Sequence, residues 1–366
     1  MASAPPASST TTPIKGAHDD CFRCWRAQGL TAVALVVFFA SFARAQIYET
    51  VGTRAQGMGG AFVAVADDAT ASWWNPAGLG SVYFSTVFER STMTEPADTA
   101  TDGPAWRGDT RAFAVSFPAL GLSYYRLRIS EIAPWPPAQA GEPAGRADPG
   151  AGGVVLRSLA TSQYGATVAQ SLGAHLVIGS TVKLVRAGLT TATAGFGGGS
   201  LDDAANLDVP LETHGDFDIG AMAVIERVRL GVSVKHVHEP AFGDEDSRFV
   251  LARQARAGFV FSTAAFSTEP RGTADSLTVA IDADLTRTAT AFGDARHLAA
   301  GVEVSLLGRH LALRGGASTN TVGDGGSSAS AGLGLALLTG VYLDGAATLG
   351  SDRSRKGWAI GLRLEV

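Results

Sequence analysis

The chain has 366 residues, of which 46% are hydrophobic and 17% charged, with 45 Gly, 29 Lys plus Arg, 34 Asp plus Glu and a net charge of −5. An acidic chain so poor in Lys and Arg lacks the basic footprint of a nucleic-acid binder. It is also too apolar and too weakly charged for a disordered protein.

The first 45 residues read as an address. Residues 1–20 form a polar, low-complexity leader. Arg23 and Arg26 then precede an uninterrupted apolar run, Leu30–Ala43, and Ala43-Arg44-Ala45 places small residues at both positions a signal peptidase reads, Ala43 and Ala45. A charged n-region, an apolar h-region and an A-x-A site make a cleaved secretory signal peptide. The run is shorter than the roughly 20 residues a spanning helix needs. Cys21 and Cys24 lie before the cleavage point. The exported chain therefore has no cysteine, and its stability rests on hydrogen bonding and packing.

Residues 52–81 read GTRAQGMGGAFVAVADDATASWWNPAGLGS. Gly57, Gly59 and Gly60 permit tight turns and close backbone approach. Asp67 and Asp68 form an acidic pair. Asn75-Pro76 suits a helix start, with Asn as cap and Pro in the first turn.

From residue 82 onward the chain breaks into segments of alternating polarity. Fourteen strands are predicted, at 82–90, 110–118, 120–128, 162–171, 174–187, 216–226, 228–238, 249–262, 276–287, 296–306, 309–318, 328–337, 340–349 and 356–366. In the last, Trp358, Ile360, Leu362, Leu364 and Val366 share one face, and Gly357, Ala359, Gly361, Arg363 and Glu365 share the other. The run Gly325–Leu343 carries no charge and is long enough for a spanning helix, but its glycines, its alternating Leu333, Leu335 and Leu337 and its turn at Leu338-Thr339-Gly340 read as two strands. Short turns near 118–119, 172–173, 227, 307–308 and 338–340 alternate with longer connections, residues 263–275 excepted. Strands of 9 to 14 residues exceed the usual length of about 5–6 and match a bilayer crossing. In lipid every backbone polar group must be paired, so such a sheet has to close. The expected fold is all-β: a transmembrane antiparallel barrel of about 14 strands in the cell outer membrane, with outer-membrane lipid and the assembly machinery as partners.

The pattern Gly52, Arg54, Gly57-Met58-Gly59-Gly60-Ala61-Phe62-Val63, Asp67-Asp68-Ala69 and Trp74-Asn75-Pro76-Ala77-Gly78-Leu79 resembles the N-terminal signature of the PorV/PorQ proteins, within the wider superfamily of the fatty-acid channel FadL. Weaker likeness continues in Gly231–Lys235, Leu313–Gly316 and Tyr342–Asp344. The resemblance implies a 14-stranded barrel at 82–366 with residues 46–81 tucked into the lumen as a hatch or plug. A barrel of that width is not filled by its own side chains. Gly57, Gly59, Gly60, Asp67, Asp68, Asn75 and Pro76 are then the hatch residues, and the aspartates are expected to meet inward cations such as Arg314, Arg363, Lys183 or Lys235. Inward charges, Lys183, Lys235, Glu303, Arg314, Asp344 and Arg363 among them, are expected to pair with each other and with the plug, since buried charges need partners.

Other constellations carry less. His236 and His238 share a strand face without further ligands nearby, and Asp202, Asp203 and Asp208 lack the spacing of a calcium loop. No cofactor and no catalytic set is signalled, so the chain is not expected to be an enzyme. Two functions follow from the resemblance: a plugged passive channel for uptake of small hydrophobic molecules, or an accessory barrel that handles secreted proteins, with loops 129–161 and 188–215 as contacts.

Overall fold

The computed structural model describes residues 51–95, 105–135, 153–195, 199–244, 248–266, 275–290, 293–322, 326–351 and 356–365. The signal peptide, with Ala43 and Ala45, lies outside them. Fourteen long strands, numbered in chain order, form one closed antiparallel barrel. They are β1 Ser85–Glu95, β2 Ala105–Phe117, β3 Leu120–Trp135, β4 Gly153–Leu172, β5 Leu176–Gly195, β6 Glu212–Ile225, β7 Val228–Lys235, β8 Gln254–Ser262, β9 Ser276–Asp284, β10 His297–Leu306, β11 Leu311–Asn320, β12 Gly326–Leu338, β13 Val341–Gly350 and β14 Lys356–Glu365. Each strand pairs with its neighbours in sequence, and β1 closes on β14 with Ser85 opposite Glu365 and Arg90 opposite Ile360.

The alternation dictates the wall. Leu122, Val182, Leu184 and Ile360 point outward and are 57%, 68%, 57% and 49% exposed. Their strand neighbours Ser123, Thr181, Lys183 and Gly361 point inward and are buried. A soluble sheet buries its apolar face; this one turns it outward, which suits a lipid surround. The tight turns take left-handed backbone at Ala119 (φ 65°), Gly173 (φ 73°), Glu226 (φ 49°), Leu307 (φ 55°) and Gly340 (φ 77°).

All fourteen predicted strands are present, with shifted ends. β4 and β5 each run to 20 residues and extend well beyond 162 and 187. Their outer ends, such as Thr190-Thr191-Ala192-Thr193, show no polar–apolar alternation but still complete a ladder, with Leu156 opposite Ala192. β7 stops at Lys235 because His236 takes φ 54° and leaves the sheet. Phe249-Val250, expected at the start of β8, instead pair with Ala241-Phe242 as a separate two-stranded ribbon.

Candidate functional site

Residues 51–82 are enclosed by the barrel wall. The segment forms two short helices, Thr53–Gly57 and Ala71–Trp74, then a 3-10 turn, Pro76–Ser81. Apart from Asp67, every residue from Val51 to Leu79 is buried. Met58, Phe62, Val63, Trp73, Trp74 and Leu79 form an apolar core with Val87, Tyr125, Met222 and Val260 of the wall. Phe62 meets Trp74 edge-on at 6.1 Å.

Close approach depends on glycine on both sides. Gly59 (φ 67°) and Gly60 (φ 86°) turn the chain in left-handed conformation. On the wall, a Cβ at Gly316 would stand 2.1 Å from the Met58 carbonyl carbon, and one at Gly179 would stand 2.4 Å from that of Pro76. The segment thus lies on stretches of bare wall backbone.

Polar groups fix its register. The Asp282 carboxylate accepts from Phe62 N and Val63 N, both at 2.7 Å. The Asn75 side chain caps the 3-10 turn by accepting from Ala77 N, while its amide donates to Val63 O at 3.1 Å and to Ala221 O at 3.2 Å. Glu89 accepts from Thr53 N, and Ser72 bonds the Tyr125 hydroxyl at 2.7 Å. Pro76 occupies the first position of the turn.

Charge is organised around Arg54. Its guanidinium reaches Asp67 at 2.7 Å, Asp68 at 2.9 Å and Glu303 of β10 at 2.9 Å. Glu303 also binds Arg314 at 2.5 Å, Arg314 binds Asp344 at 2.8 Å, and Asp344 binds Arg363 at 3.0 Å. One buried chain of alternating charge therefore runs from the segment through β10, β11, β13 and β14. Contrary to the expectation from sequence, the cation shared by Asp67 and Asp68 is Arg54, in the first helix of their own segment, and Arg314 and Arg363 join through Glu303 and Asp344. The missing signal was cross-strand register, which places Glu303 directly opposite Arg314.

Lys183 and Lys235 do other work. Lys183 Nζ lies 2.7 Å from Asp218, 3.3 Å from Asp216 and 3.2 Å from His236 Nδ1. The two aspartates also accept from the backbone N–H of His236 and His238, which β7 leaves without ladder partners where it departs from the sheet. Asp216, Asp218 and His236 are close enough to share a cation, and the Lys183 ammonium already supplies one. Lys235 sits 3.2 Å from the centre of the Trp73 ring, a cation–π contact onto the segment.

Above this level the connection from β7 to β8 turns inward. Phe242 and Phe249 stack at 5.3 Å and pack with Leu251 against Val185 and Ala187, on the same inward face of β5 as Lys183. The 201–211 region folds the other way, against the outer surface of β2, β3 and β4. There Ser200 caps the helix Leu201–Asn206 and bonds Asp203, holding that carboxyl below the usual carboxylate range. Asp202 pairs with Arg107 at 2.8 Å, so it is an anchor onto the barrel.

No known family model matches the chain, and no curated protein matches its sequence. Solved structures do match in fold. A monoaromatic hydrocarbon channel, CymD, aligns with a TM-score of 0.59 at 12% identity, covering 86% of this chain and 97% of its own. The toluene transporter TbuX of Ralstonia pickettii gives 0.56 at 12% identity over 86% and 98%. A Pseudomonas aeruginosa FadL homologue gives 0.52 at 13% identity over 88% and 99%. The fold is that of FadL-type outer-membrane barrels.

Proposed function

We propose that the protein is a passive outer-membrane channel for small hydrophobic molecules, in which residues 51–82 act as a hatch. The observation that carries this reading is the Arg54 chain of ion pairs. It ties a segment within the barrel to the wall through charged side chains, and such ion pairs can rearrange without unfolding the wall. The similar structures named as hydrocarbon channels and a toluene transporter support the same substrate class. The motif at 52–79 supports placing the chain on the PorV/PorQ branch. The secretion role attached to that branch has no supporting observation among the described residues.

The test is uptake. Vesicles with a glycolipid outer leaflet, which small hydrophobic molecules cross slowly, are loaded with the purified barrel and given radiolabelled toluene or a long-chain fatty acid. Faster entry than into protein-free vesicles is expected for at least one of them; equal entry of both would refute the reading.

A further inference from the structure

We propose that the outward face of β1 to β5 carries a binding site for the phosphate groups of an anionic glycolipid in the outer leaflet. Three arginines stand in one cross-strand row: Arg90 is opposite Arg111, and Arg111 is opposite Arg126. The row continues through Ser162 of β4 to Arg186 of β5. All four arginines are exposed. They point outward, since their neighbours Glu89, Tyr125 and Val185 point inward to the segment and the lumen.

Like charges directly opposite on adjacent strands destabilise a sheet, and Arg on the lipid face of a barrel is costly away from the interface. Cross-strand charge rows elsewhere in this protein are compensated, as Glu303 opposite Arg314 illustrates. Among the described residues, none of these four arginines has an ion-pair partner. The described residues therefore leave the charge of this row to be balanced by a bound anion.

Its nature follows from the neighbouring rows. Two residues nearer the short turns, on the same outward face, Phe88, Phe113, Tyr124 and Tyr164 form an aromatic row flanked by Leu362 and Leu184. Phe88 and Phe113 are 4.9 Å apart, as are Tyr124 and Tyr164. Toward the long connections lies an external cleft of about 490 Å³, lined by Arg90, Arg107, Arg111, Arg126, Arg128 and Asp202. The helix Leu201–Asn206 forms one side of it, held by Arg107–Asp202 and by Arg128 donating to Leu207 O at 2.7 Å. Long connections mark the outer side of such barrels. A ligand with phosphates in the arginine row and acyl chains on the aromatic row satisfies both surfaces at once, because guanidinium binds phosphate through paired N–H donors. A free anion would use only the first.

The full-length barrel, folded in detergent, is titrated with bisphosphorylated lipid A, with its dephosphorylated form and with inorganic phosphate. The wild type is expected to bind lipid A, and Arg90→Gln/Arg111→Gln/Arg126→Gln to bind it about tenfold or more weakly, while still migrating as a folded, heat-modifiable barrel. If that variant does not fold, single Arg111→Gln and Arg111→Lys variants serve, with a larger loss expected for Gln than for Lys. The dephosphorylated lipid should bind the wild type as weakly as lipid A binds the variant. Undiminished lipid A affinity in the folded variants, or equal wild-type affinity for the dephosphorylated lipid, would overturn the proposal. Inorganic phosphate binding as tightly as lipid A would assign the row to a free anion and overturn it equally.

Discussion

Arg54→Met should loosen residues 51–82 by about 3–5 kcal/mol, the usual cost of stripping the partner from buried charges. The guanidinium is 5% exposed, and it holds Asp67, Asp68 and Glu303 together. Without it, three carboxylates face one another in a site shielded from water. Glu303 retains Arg314, whereas Asp68 retains only hydrogen bonds from Thr70 N and the Thr70 hydroxyl. The wall ladder does not pass through Arg54, so the barrel itself should stay folded. The readout is amide exchange within 51–82, expected to accelerate by roughly two to three and a half orders of magnitude at 1.4 kcal/mol per decade. A larger conductance in planar bilayers should accompany it. Adding Glu303→Gln should recover part of the loss, because the two residues share one interaction. Additive effects would show that the two act separately.

The second large effect is steric. Gly316→Val places a Cβ at 2.1 Å from the Met58 carbonyl carbon and 2.3 Å from Gly59 N. Both are backbone atoms and cannot rotate aside. Overpacking of this kind costs about 1–3 kcal/mol where side chains can yield, and more where they cannot. The segment is expected to leave this part of the wall, with protease cleavage appearing between Arg54 and Phe62. Gly345→Val is the control, because nothing lies within 4 Å of a Cβ at that strand glycine. Equal protection of both variants would mean that the Met58–Gly60 turn is not seated on β11 in solution.

How much of this is legible in the sequence depends on whether a feature is local. Strand positions are local: Leu333, Leu335 and Leu337 or Trp358, Ile360 and Leu362 declare their face by alternation alone. Turns at Gly173 and Gly340 are local too. The outer ends of β4 and β5 are not, since Thr190 to Thr193 extend the ladder by pairing with the neighbouring strand rather than by polarity. The charge network is the least legible part. Inward parity finds Glu303, Arg314, Asp344 and Arg363, but their linkage depends on register between strands. Arg54 stands in the same motif as Asp67 and Asp68, and only the fold back of the chain through Gly59 and Gly60 brings them together. Asp216 and His236 escape for a related reason. The left-handed residue at His236 breaks the strand and hands two backbone N–H groups to aspartate side chains.

If residues 51–82 act as the proposed hatch, they must shift for a solute to pass. A disulfide tests it directly. The Thr53 hydroxyl oxygen lies 2.8 Å from where a Cβ at Gly361 would stand, close to the spacing of one disulfide sulfur from the partner Cβ. Thr53→Cys/Gly361→Cys should therefore cross-link the segment to β14 on oxidation. In the vesicle assay the oxidised protein is expected to take up hydrophobic solute no faster than protein-free vesicles, and the reduced protein is expected to regain the parent rate. Full uptake by the oxidised, cross-linked protein would show that residues 51–82 do not gate the barrel.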